Sequence, residues 1–198
     1  MALNLESAQT LALGHFNPHI ITPVWLVKNK LCDDGKVSFR IIPQTQGGSF
    51  QFKDVQWLID FQSLLIASPK ENCGALTAKV LKKLSHTPVR AIGNNFHYAC
   101  ASDQWGDSPV PMLGNRGWDD LGDVGKVDQM RWAGVFFREK VRTEVTLARS
   151  ETGFAVMFNF HRDTKQTNEA RVAAECFEED RELSGKMLKT LFNQGVAS

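Results

Sequence analysis

The sequence predicts an α+β fold: a largely antiparallel sheet of six to eight strands, with two to three helices packed on one face. Three observations carry that expectation. Apolar residues recur at every second position through KVRTEVTLAR and FAVMFNFHRD, the rhythm of strands with one buried and one wet face. They recur at helical spacing in ENCGALTAKVLKKL and in the stretch NEARVAAECFEEDRELSGKMLKTLF. At 198 residues, 42% hydrophobic and 23% charged, the chain is long enough for one real core, so a single domain over 1–198 is expected.

In chain order, LALGHFNPHIITPVWLVKNKL over residues 11–31 is broken by Pro18 and Pro23 and predicts extended structure along a sheet edge. KVSFRIIP alternates Val37, Phe39 and Ile41 and predicts a strand; QTQGGS predicts a loop. The stretch from Ser49 to Ser68 predicts two strands joined near residues 60–63. Ser68-Pro69 opens a helix with Leu76, Val80, Leu81 and Leu84 on one side, ended by the extended preference of Thr87 before Pro88. VRAIGNNFHYACA is the next strand. Residues 101–128 hold five glycines and two prolines without a period, which predicts a long Gly/Asp-rich loop. Three strands' worth of alternation follow, with Val141, Thr143, Val145 and Leu147 inward and Phe154, Val156, Phe158 and Phe160 on one face. The C-terminal helix is expected to bury Val172, Cys176, Leu183, Met187 and Leu191, as one helix or as two with a restart capped by Ser184.

Bulk properties narrow the function. A net charge of +1 argues against a binder driven by polyanions. The opening MALNLESAQTLALGHF lacks a basic segment followed by a long apolar run, and no apolar run approaches the roughly 20 residues that cross a bilayer. Cys32, Cys73, Cys100 and Cys176 lie far apart, with no metal-cage spacing, and read as reduced thiols of a cytoplasmic protein. No phosphate-binding glycine loop, dinucleotide fingerprint or nucleophile elbow is present, so no cofactor is assigned.

One echo stands out. Asn-Phe-His occurs at 95–97 and again at 159–161, 64 residues on, while the helix endings TAKVLKKL and SGKMLKTL lie 107 apart. A tandem duplication would hold one offset, so the echo is not read as a repeat. As chemistry it places Asn95 with His97 on one strand face and Asn159 with His161 on another. If the strands are neighbours, two imidazoles meet and could share a proton-transfer or metal role, with Asp163 or Asp103 orienting them. No third ligand has diagnostic spacing, so no metal is assigned. His97, Cys100 and Asp103 fall on different faces of one strand end, which disfavours a Cys-His nucleophile.

FQSLLIASPKENCGALTAKVLKKL followed by RAIGNNFHY, and FAVMFNFHRD followed by a terminal helix, together resemble a sporadically distributed bacterial family of proteins to which no activity is attached. The resemblance implies the order strand, helix, strand and brings no functional residue with it. Asn94 departs from its pattern by interrupting the apolar side of its strand, and so does the stretch 101–128.

The function expected from all this is a non-enzymatic, cytosolic protein-binding or assembly subunit able to self-associate. Asn95 and Asn159 are its binding candidates, and Trp105 and Trp118 its interface anchors. The alternative is an enzyme or metal protein using a His97/His161 cluster. A third reading is single-stranded nucleic acid on a face carrying Arg131, Trp132, Phe137, Arg138 and Arg142, disfavoured by the matching acids.

Overall fold

The computed structural model describes residues 3–32, 37–42, 47–101, 129–150 and 153–192. The described strands form one nine-stranded antiparallel sheet, β1 (Asn4–Gly14), β2 (Val37–Ile42), β3 (Gly47–Phe52), β4 (Val55–Ile59), β5 (Ser63–Ala67), β6 (Val89–Ala101), β7 (Gln129–Arg138), β8 (Val141–Ser150) and β9 (Gly153–Asp163). Four helices accompany it: α1 (Pro23–Lys28), α2 (Cys73–Lys83), α3 (Thr167–Glu175) and α4 (Phe177–Phe192). The sheet order is β2-β3-β4-β5-β1-β6-β9-β8-β7. The α+β class is as expected, with more strands and one more helix than the sequence suggested.

The extra strand is β3, which begins at Gly47 inside the expected QTQGGS loop. Two tight turns divide what looked like a single bend. Lys53 adopts a positive φ of 51° between β3 and β4. Asp60 then accepts hydrogen bonds from the Gln62 and Ser63 amides, both at 2.7 Å, between β4 and β5.

Residues 11–31 are not an edge. β1 is the fifth of the nine strands and pairs with β5 on one side and β6 on the other. The prolines fall beyond it, and Pro23 opens α1, where the missing amide is harmless and the ring pre-sets φ. The Thr22 hydroxyl caps that helix by accepting from the Trp25 amide.

Helix α2 begins later than Ser68-Pro69. Asn72 is its cap, accepting from the Ala75 amide at 2.7 Å, while the Ser68 hydroxyl takes the Lys70 and Glu71 amides. The C-terminal segment breaks at Cys176 rather than at Ser184. Its fully buried side combines small residues with Phe177, while Leu183, Met187 and Leu191 of the expected set pack partly buried against the core. Ala170, Ala173, Ala174, Phe177, Asp180 and Ser184 are buried, and Val172 is half in solvent. Small side chains let helix backbone approach closely. At Gly74 of α2 an added Cβ would collide with the Ala174 carbonyl and the Phe177 side chain, so α2 and the α3–α4 junction touch nearly backbone to backbone.

The helices cover one face of the sheet. On β6 that face presents Ile92, Asn94, Phe96, Tyr98 and Cys100, and on β9 Phe154, Val156, Phe158 and Phe160, all buried. Phe96 packs at 5.0 Å from Phe177. Fully burying aromatic residues of this kind contributes about 1.5–3 kcal/mol each.

A polar cluster ties this face together. The Thr10 hydroxyl of β1 donates to Asn94 Oδ1 at 2.9 Å, and Asn94 Nδ2 donates to Asp180 Oδ2 on α4 at 2.8 Å. Arg162 of β9 grips both Asp180 oxygens at 2.7 Å. Burial alone would pull the Arg162 guanidinium down, but the hydrogen bonds and charge of Asp180 outweigh it and hold its pKa above the usual value. Asn94, which breaks the apolar pattern of its strand, is therefore the polar joint between three strands and a helix. Nearby, Ser184 donates to the Arg181 carbonyl at 2.7 Å and so accepts from the Tyr98 hydroxyl at 2.8 Å.

Candidate functional site on the open sheet face

Alternation sends the intervening residues to the opposite face, against which none of the described helices packs. The register there brings polar residues from four strands into line. Gln9 lies opposite Asn95, Asn95 opposite Asn159, and Asn159 opposite Glu144. The next row runs Ser7, His97, Met157, Thr146. Beyond it Ala99, Ala155 and Ala148 lie side by side, with Arg131 of β7 at the end. Small residues flank the polar rows, since on the other side Gly93 lies opposite His161. The result is a trough of about 270 Å³ whose lining includes both rows and Arg131.

One polar atom in it is unmatched. Asn159 Oδ1 is sealed from solvent and has no hydrogen-bond partner among the described protein atoms. It faces the space over Gly93, where an added Cβ would sit 3.8 Å from it and 3.9 Å from the Asn95 amide. A buried acceptor left unmet costs about 1–3 kcal/mol.

The two asparagines therefore meet as the alternation suggested, but the two histidines do not. β6 and β9 are neighbours and antiparallel, so the residue two past Asn95 and the residue two past Asn159 travel in opposite directions. His97 lies opposite Met157 and His161 opposite Gly93, four residues apart along the strands. At about 3.3 Å per residue this is roughly 13 Å, too far for one ion or one shared proton. The His97/His161 cluster is corrected on that ground. His161 Nε2 instead contacts Asp163 Oδ1 at 3.1 Å, on an exposed carboxylate. Among the described residues no three His, Cys, Asp or Glu side chains gather in a metal-binding group.

Cys100 is buried on the helix face while His97 is on the open one, and Asp103 lies outside the described residues, as do Trp105 and Trp118. The proposed aromatic and basic face is also split. Arg131, Phe137 and Arg142 share the open face, Trp132 and Arg138 take the other, and Arg142 donates to Glu144 at 3.1 Å.

Gln9, Ser7, Glu144 and Thr146 were not singled out by sequence, and Arg131 only for the nucleic-acid reading. The available signal was the outward register of β8, whose Arg142, Glu144 and Thr146 look like an ordinary wet face until Asn159 is placed beside them.

The sheet itself ends at an apolar margin. Among the described residues β7 is the last strand and pairs only with β8, and Val135, Phe136 and Phe137 are 45%, 48% and 76% exposed. Exposed strand edges are normally guarded by charge, proline or a bulge. No described helix is long and apolar enough to cross a membrane. No protein-family model matches the chain, and no match to a curated protein is found.

Proposed function

We propose that the protein is a non-enzymatic assembly subunit of the cytosol, self-associating through the outer edge of β7. The observation that carries this is three consecutive large apolar side chains in solvent on an edge strand. Each contact with water is unfavourable by about 25 cal/mol per Å² of apolar surface, and an unpaired ladder adds a row of donors and acceptors seeking partners.

A second copy of the chain suits this edge. Antiparallel pairing about a two-fold axis through Phe136 sets Val135 against the partner's Phe137 and Phe136 against its own counterpart. Gly134 then falls opposite Arg138, and no two arginines meet. A register centred between Gly134 and Val135 would instead oppose Arg131 and Arg138, which like-charge repulsion disfavours.

Light scattering across a dilution series tests the reading. The native chain should move from dimer to monomer on dilution, and the Phe136→Lys/Phe137→Lys double variant should be monomeric throughout with an unchanged circular dichroism spectrum. A native chain that stays monomeric at the highest concentration, or a variant that still dimerises, would falsify it.

A further inference from the structure

The trough is a separate matter from the β7 edge, and its lining has a definite chemical character. It carries one carboxylate (Glu144) and one guanidinium (Arg131), with Arg142 paired to Glu144 at its border. Across β9, β6 and β1 from Glu144 lie the carboxamides of Asn159, Asn95 and Gln9, each both donor and acceptor. A lining that offers both a carboxylate and a guanidinium suits a zwitterion better than a phosphate or a divalent cation. Its one open-face ring is the His97 imidazole, since Phe96 and Phe158 turn theirs to the helices.

We infer that the trough binds a free amino acid with a hydrogen-bonding side chain. The ammonium group sits at Glu144, the carboxylate at Arg131, and the side chain among the carboxamides. Glu144 and Ala148, the residue opposite Arg131, are four apart on β8, roughly 13 Å, a span that two long side chains and a small zwitterion close together. The Arg142 contact occupies one Glu144 oxygen, Oε2, and a carboxylate accepts at both. Charge-assisted hydrogen bonds at the two ends fix the molecule's direction. The donors and acceptors of its side chain match the carboxamides of Gln9 and Asn95 in the lining. A volume of about 270 Å³ admits a molecule of this size and excludes a folded partner.

Calorimetric titration with L-glutamine is the test. Saturable binding with a dissociation constant below about 1 mM is expected. It should weaken at least tenfold with N-acetyl-L-glutamine, which lacks the ammonium, and with L-glutaminamide, which lacks the carboxylate. Arg131→Met, on an exposed edge and so harmless to folding, should weaken glutamine at least tenfold. Asn95→Ala should weaken binding at least tenfold while its urea midpoint stays level, a combination that a structural role for Asn95 does not produce. The monomeric Phe136→Lys/Phe137→Lys variant should bind as the native chain does, which keeps this inference independent of assembly. Binding of glucose in place of glutamine, equal binding of the two blocked analogues, or no saturable binding of any of them overturns it.

Discussion

Asn94 and Asn95 are neighbours in sequence and belong to opposite worlds. Asn94 is fully buried beneath the helices, and both ends of its carboxamide are engaged, by Thr10 on one side and Asp180 on the other. Asn95 is half-buried on the open face, in a row with Gln9 and Asn159, where a carboxamide oxygen goes without a partner. The backbone treats the two alike. What separates them is whether the protein itself completes their hydrogen bonds. A polar group that the fold satisfies holds the fold together, and one that it leaves open can hold something else.

The comparison can be broken most forcefully at Asp180. Replacing it with Ala strands the Arg162 guanidinium, only 15% exposed, without its counter-charge and removes the acceptor of Asn94. A loss of about 3–5 kcal/mol in urea unfolding is expected. A loss below about 1 kcal/mol would mean that water reaches the cluster and that the two faces differ less than their geometry implies.

Next come the asparagines themselves. Asn94→Ala leaves the Thr10 hydroxyl without its acceptor and should cost about 1–3 kcal/mol, while Asn95→Ala should stay within about 0.5 kcal/mol of native. Equal effects at the two positions would erase the distinction.

The smallest effect is one of pH. Burial pushes the Cys73 thiol up to about 12 from an ordinary value near 9.0, and its Sγ donates to the Ala8 carbonyl at 3.4 Å. A raised thiol pKa contributes stability that is whole below the unfolded value and drains away as pH climbs from about 9.0 toward about 12. Cys73→Ala should therefore flatten the alkaline limb of the stability curve by about 1 kcal/mol at pH 10. A native thiol that reacts with a disulfide reagent as fast as free cysteine at pH 8 would contradict the burial.

How much of this was legible beforehand follows from the reach of local patterns. Alternation is local, so the inward phenylalanines of β9 and the sidedness of β8 could be read directly. Register is not local. Nothing in Asn-Phe-His says that its two copies run antiparallel, and that one fact brings the asparagines together and drives the histidines apart. The same blindness put β1 at an edge, since two prolines after it looked like two prolines within it. In α3 the larger Val172 outweighed the alanines by hydropathy, although close approach to α2 selects small residues.

The central place of β1 has a consequence for how the chain is made. Both of its partners, β5 and β6, come later in sequence, and the nearer begins at Ser63. As the polypeptide leaves the ribosome, β1 must wait, both flanks bare, until some fifty residues more have emerged and folded back beside it. Slow emergence prolongs that wait, so yield of native protein should depend on holdase chaperones more than the finished molecule's stability would suggest.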